Sequence, residues 1–183
     1  MNITDGALLI RLMTVEDLPL LLKWLGDDRV LQYYGGRDLR YTMETLTAHY
    51  TEPFEGEGFR VIAAYDGIPI GYGQIYRVCG DAFDEYSYPD TGACVFAMDQ
   101  FIGEPEYWNR GIGTEYTKAI CAWLAEHLAA DAVILDPRAS NRRAIRAYEK
   151  AGFRIIGTLC AHELFEGQWE DCLLMEWCPS VRP

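Results

Sequence analysis

Two stretches of this chain place hydrogen-bond donors and ionisable groups at spacings that chemistry can use. The first, Asn109-Arg110-Gly111-Ile112-Gly113-Thr114, lies between an apolar strand pattern and a strong helix pattern. Two glycines one residue apart let the backbone turn its N–H groups toward one point. The helix N-terminus behind them contributes about half a positive charge, and Arg110 adds a full one. That combination suits a pyrophosphate. Glycine pairs before helices also serve simply to make a turn, and the stretch alone does not separate the two readings. It is neither a Walker loop, lacking Gly-Lys-Ser/Thr, nor a dinucleotide GxGxxG. The second stretch runs from Asn141 to Phe153 and sets Asn141 and Tyr148 two helical turns apart, facing one groove. A phenol there can protonate a leaving group, or it packs on a sheet as a core tyrosine.

Carboxylates form a third group. Val95, Ala97 and Asp99 share one face of an apolar strand pattern, while Phe96, Met98 and Gln100 share the other. Asp99 and Asp136 end neighbouring strand patterns. Asp84, Glu85, Tyr86 and Tyr88 cluster in one loop, and Tyr33 and Tyr34 in another. With 28 Asp and Glu against 16 Lys and Arg, the net charge is -12. Such a surface repels nucleic acid phosphates and anionic lipid and attracts cations, unless it serves solubility alone. The six cysteines form no CxxC pair and the three histidines stand apart, so no metal site is expected. The cysteines fall mostly among apolar residues and read as reduced core thiols of a cytoplasmic protein. No basic start with an apolar run, and no apolar stretch near 18 residues, predicts a signal peptide or a membrane span.

The elements that position these groups follow from periodicity. Leu8 to Met13 reads as a strand. Thr14, with Asp17 three residues on, predicts a capping-box helix start, and Leu18, Leu21, Leu22 and Leu25 give its apolar stripe. A short helix is expected from Thr42 to Tyr50. Strands follow from Phe59 to Tyr65 and from Pro69 to Val78, about an Asp66-Gly67 turn. Residues 79–91 read as an acidic loop and Ala93 to Phe101 as a strand. A helix is expected from Thr114 to Leu128, then a wholly apolar strand from Ala132 to Leu135. Asn141 to Ala151 reads as a helix closed by Gly152. Phe153 to Leu159 and Cys172 to Trp177 are strands about a turn at Glu166-Gly167. Strands alternate with helices only in the second half. This predicts an α/β chain with a mixed sheet and helices on both faces, as a single domain over residues 1–183.

The two motif stretches together resemble the cofactor-binding segments of the GNAT acetyltransferases. Asn141, Ala144 three on, Tyr148 four further and Gly152-Phe153 match the second segment. Residues 110–114 are similar to the pyrophosphate loop, Q/R-x-x-G-x-G/A, although Trp108 stands at its Gln/Arg position. The resemblance implies the GNAT fold, whose mostly antiparallel sheet splays at its fourth and fifth strands, and acetyl-CoA as co-substrate. It assigns Phe101, Ile102, Arg110, Gly111, Ile112, Gly113, Thr114, Asn141, Ala144 and Tyr148 to the cofactor.

Further segments are similar to the aminoglycoside 6′-N-acetyltransferases, above all to the acetyltransferase half of the bifunctional acetyltransferase–phosphotransferase resistance enzymes. These are residues 33–38, 69–74, Met98-Asp99-Gln100 and Leu135-Asp136-Pro137, and the likeness spans roughly residues 8–177. It implies antibiotic resistance by direct acetyl transfer to the 6′-amine of an aminoglycoside in a ternary complex. Tyr33, Tyr34, Glu85, Tyr86, Asp99, Gln100 and Asp136 would bind that cationic substrate. Asp99 would accept the amine's proton and Tyr148 would protonate the departing thiolate. A monomer with no nucleic acid or membrane partner is expected. The rival expectations are acetylation of a protein N-terminus or siderophore precursor, and a non-catalytic acyl-CoA-binding module.

Overall fold

A computed structural model describes residues 1–54 and 56–179. A hairpin of β1 (Asn2–Asp5) and β2 (Leu8–Leu12) leads through a 3-10 turn into α1 (Leu18–Trp24), then α2 (Asp28–Leu31) and α3 (Met43–Thr51). The hairpin β3 (Gly58–Tyr65) and β4 (Ile68–Arg77) follows, then α4 (Ala82–Glu85) and β5 (Val95–Ile102). The second half is α5 (Ile112–His127), β6 (Ala132–Leu135), α6 (Arg142–Ala151), β7 (Arg154–Phe165) and β8 (Gln168–Trp177). The eight strands form one sheet in the order β1-β2-β3-β4-β5-β6-β8-β7. Among the described residues only β5 and β6 pair in parallel.

Helices cover both faces, as the alternation predicts. Phe96 and Met98 of β5 pack with Ile112, Tyr116 and Ile120 of α5 and Ile145 of α6. On the opposite face Ile62, Tyr72 and Phe101 pack against Leu21 and Trp24 of α1 and Leu46 of α3. Val95, Ala97 and Ile134 on that same side are covered by Phe83 and Tyr86 of the acidic segment.

The sheet is continuous yet open at one place. Val95, Phe96 and Ala97 pair with Ala132, Val133 and Ile134, and the pairing then stops. Beyond that point β5 stays with β4 as far as Ile102. The chain after β6 stays with β8 instead, with Leu173 N–H donating to Pro137 O at 2.9 Å and Ala139 N–H to Asp171 O at 2.8 Å. Each strand follows its outer neighbour, so a wedge opens between Met98 and Leu135. This is the splay expected between the fourth and fifth strands of the sequence reading.

Four differences from that reading have physical causes. The edge strand β1 and the single turns α2 and α4 are too short to impose a period. In α2 the cap is Asp27, which accepts Arg29 N–H at 2.9 Å. Helix α5 starts at Ile112 rather than Thr114, because Gly111 adopts φ 86° and caps it. Strands β7 and β8 run on to the Glu166-Gly167 turn, since bulges interrupt the alternation that would have revealed them. Finally, the cysteines are not mostly core thiols. Cys121 and Cys172 are buried, but Cys79, Cys160 and Cys178 are exposed, on loops or on the solvent side of β7.

The cap that starts the first helical segment combines local and tertiary bonds. Asp17 accepts Thr14 N–H at 2.9 Å and both Arg11 amino groups, at 2.6 and 2.7 Å. These bonds, led by that from Arg11, hold its carboxyl below the usual range. Its contribution is therefore present above the unfolded pKa and is lost as pH falls through the lower folded value. Denaturant unfolding of Asp17→Asn should show a loss of about 1–3 kcal/mol at pH 7. The gap to the parent should close in strong acid.

Candidate active site

The wedge is the inner end of a cavity of about 1010 Å³. One wall is the junction of α5 and α6. Gly111, Gly113 and Thr114 line it, and the hydroxyl of Thr114 donates to Ala147 O at 3.2 Å, tying the two helices together. No side chain caps the start of α5, so its first N–H groups remain available to a ligand. A Cβ at Gly113 would meet no protein atom within 4 Å, although the residue lines the cavity. A helical glycine costs about 1 kcal/mol against alanine. The packing does not require it, and its absent side chain leaves room for a close ligand. Asn141 caps α6 through Oδ1, which accepts Ala144 N–H at 3.2 Å.

This wall is strongly cationic: Arg142, Arg143, Arg146 and Lys150 of α6 all line the cavity. All four lie within the Asn141–Phe153 stretch, and none is among the residues that the resemblance assigns to the cofactor. The signal was the four-residue spacing of Arg142, Arg146 and Lys150, one helical stripe in a chain of net charge -12.

The opposite end of the cavity is acidic. Asp99 lies on β5, where its Oδ2 accepts from Gln74 Nε2 at 2.8 Å; Gln74 Oε1 in turn accepts from the Tyr72 hydroxyl at 3.2 Å. Burial raises the Asp99 carboxyl above its ordinary value, and the Gln74 bond opposes the rise. Asp136, at the end of β6, lies 3.1 Å from His162 Nε2. Burial, then the neighbouring carboxylates Asp99, Glu163 and Glu85, push it up to about 7. Glu163 is raised as well, chiefly by burial, while Arg138 pulls the other way. The buried Arg138 lies 3.8 Å from Glu163, but its guanidinium also stacks on Phe165 and donates to Gln32 O.

His162 and Glu163 are consecutive in β7 and both line the cavity. A regular strand would send them to opposite faces, but the register shifts between Leu159 and Glu163. No local pattern announces such a bulge, and neither residue was anticipated.

Tyr148 lies between the two ends. Burial pushes its phenol well above the ordinary value, Asp99 adds to the rise, and the Gln100 side chain opposes it. The group therefore keeps its proton at neutral pH. Of the other anticipated residues, Tyr33, Tyr34, Gln100, Phe101, Ile102, Asn141 and Ala144 line the cavity. Four others do not. Ile112 is in the core. Arg110 is turned outward over the rings of Tyr107 and Tyr65, at 5.0 and 5.9 Å. Glu85 is exposed on α4, and Tyr86 is buried with its hydroxyl 2.5 Å from that of Tyr76.

Comparison with known proteins agrees with this geometry. Residues 14–160 match the family model described as an acetyltransferase (GNAT) domain. The aminoglycoside N(6')-acetyltransferase type 1 of Klebsiella pneumoniae is 32% identical over 158 residues, 85% of this chain and 78% of that protein. The N5-hydroxyornithine acetylase of Beauveria bassiana is 28% identical, but the match spans only 25% of its length. Among solved structures, AAC(6')-Ib in complex with ribostamycin and coenzyme A superposes with a TM-score of 0.74 at 27% identity. That match covers 95% of this chain and 94% of the other.

The raised carboxyl of Asp136 has a measurable cost. The folded chain holds a proton there that the unfolded chain releases near pH 4, so stability falls as pH rises from about 4 to about 7. Asp136→Asn removes that loss. Thermal unfolding should show the variant more stable than the parent by about 1–3 kcal/mol at pH 8 and nearly equal to it at pH 4. A variant less stable at pH 8 would mean that the carboxylate is compensated in the folded state.

Proposed function

This chain belongs to the GNAT acetyltransferase family, and on that premise we propose that it acetylates the 6′-amine of aminoglycoside antibiotics in a ternary complex with acetyl-CoA. One observation carries the proposal: a single cavity joins a cationic wall to an under-compensated acidic end, and the two meet beside Asp99. Acetyl-CoA is anionic at its phosphates, whereas an aminoglycoside is a polycation with several ammonium groups. Each half fits one of them by charge.

The residues present fit acetyl-CoA. The uncapped start of α5, the open space at Gly113 and the α6 cations would hold its phosphates. When bound, it supplies an acetyl group already activated as a thioester. The chain's own groups then act on protons. A protonated amine cannot attack a carbonyl, and Asp99, made more basic than an ordinary carboxylate by burial, accepts the proton at its carboxylate oxygen. Gln74 fixes which way that carboxylate points. The Tyr148 phenol, protonated at neutral pH, donates toward the sulfur as it leaves. Asp136 and Glu163 hold further ammonium groups and Tyr34 offers a ring to the sugars, whereas the Tyr33 ring is taken up by Arg143.

A covalent route through cysteine has no support, because no cysteine lines the cavity among the described residues. The buried Cys172 thiol, next to Glu163, is pushed up to about 12. The proposal further takes the chain as one domain acting as a cytoplasmic monomer, without nucleic acid or membrane partners. No helix among the described residues is long and apolar enough to cross a membrane.

The test is thiol release from acetyl-CoA with and without kanamycin. Release should require the aminoglycoside. Asp99→Asn should lower turnover by about 100-fold or more while acetyl-CoA still binds, and Tyr148→Phe by about 10- to 100-fold. Turnover with a peptide or simple polyamine but not with kanamycin would overturn the substrate. No release with any amine would leave an acyl-CoA-binding module.

A further inference from the structure

The pyrophosphate loop of this chain lacks the side-chain cation or amide that its pattern places three residues before the first glycine, because that position is Trp108. Arg110 does not substitute, since it is exposed and does not itself line the cavity, although the Tyr107 ring it lies over does. Trp108 instead donates its indole N–H to Ile102 O at 2.7 Å, which fixes the ring. Against that ring stands a guanidinium from a different element. Arg143 of α6 has its Cζ 4.0 Å from the Trp108 ring and 3.9 Å from the Tyr33 ring, and those two rings meet edge to face at 5.8 Å.

This arrangement is unusual for a half-buried cation. Among the described residues Arg143 has no carboxylate within ion-pair reach and no protein acceptor for its N–H groups, yet it lines the cavity beside the uncapped start of α5. Burial lowers its pKa, opposed by the Tyr33 phenol and by no carboxylate. The two rings stand at 88° to one another, so the guanidinium sits in the corner between them, and its edge away from the rings keeps in-plane donors free. Those donors are arranged for a bidentate anion.

We propose that Arg143, held in the corner of Tyr33 and Trp108, is the side-chain ligand of the acetyl-CoA diphosphate, supplying from α6 the contact that position 108 cannot make. The corner restricts the side chain before binding, so less rotamer entropy is lost when the anion arrives. Arg142, Arg146 and Lys150 are less constrained: they form an outer, more solvated row and contribute mainly to attraction at a distance. The inference rests on the acetyl-CoA reading above.

Calorimetric binding of CoA, dephospho-CoA and pantetheine to the parent and to Arg143→Met tests it without any turnover. CoA and dephospho-CoA should both weaken by about 10- to 100-fold, since they share the diphosphate, and pantetheine should bind as before. Arg143→Lys keeps the charge but loses the planar fork, and should lie between, at about 3- to 10-fold. It carries the same comparison if Arg143→Met melts early. Unchanged CoA affinity would overturn the proposal. So would loss for CoA but not dephospho-CoA, which points to the 3′-phosphate, or equal loss for pantetheine, which points to pocket shape. A parent chain that binds no CoA at all would overturn the acetyl-CoA reading itself.

Discussion

β5 and β6 lie side by side for three residue pairs, and then each continues with its outer neighbour. That divergence is the constraint on which the rest of the molecule depends. A sheet normally separates its two faces completely, because its backbone hydrogen bonds leave no opening. Here the ladder ends at Ala97, and a passage joins the α5–α6 face to the face carrying Asp99 and Asp136. Neither strand is held by the other beyond this point. The wedge persists because β4 holds β5, while β8 holds the chain after β6.

Charge is distributed about that passage in a way folding alone would not select. Four cations face the cavity from α6, and Asp99, Asp136 and Glu163 face it from three different strands or strand ends. Carboxyls raised by burial, and for Asp136 and Glu163 by neighbouring carboxylates as well, destabilise a fold at neutral pH. Compensation elsewhere is ample: the aromatic and aliphatic clusters on both faces of the sheet are buried and close-packed. An arriving polycation would remove the strain at the acidic end, so binding and proton loss are coupled there.

The local parts of this site were legible in the sequence, and the parts built by register were not. The glycine loop, the Asn141 cap and the Tyr148 face depend on spacing within one helix or turn, and alternation along β5 identified the face of Asp99. Gln74, in contrast, reaches Asp99 only because the two residues are paired across strands 25 positions apart. His162 and Glu163 share the cavity only because β7 bulges. Tyr86 misled for a related reason. Its acidic, polar neighbours resemble a solvated loop, yet Phe83 and Tyr86 fold inward over Val95 and Ala97 and bury there. Arg110 misled through its charge: its exposed guanidinium lies over the rings of Tyr107 and Tyr65 and takes no part in the cavity lining.

The central claim is that the acidic end of the cavity retains protons until a cation displaces them, and calorimetry measures this directly. Kanamycin binding at pH 7, run in buffers of different ionisation enthalpy, reports the protons exchanged for the parent and for Asp136→Asn. Kanamycin's own amines contribute equally to both, so the difference isolates the carboxyl. With a carboxyl near pKa 7, the parent should release about half a proton more than the variant. Equal proton exchange in the two chains would contradict the account, because Asp136 would then be ionised before the substrate arrives.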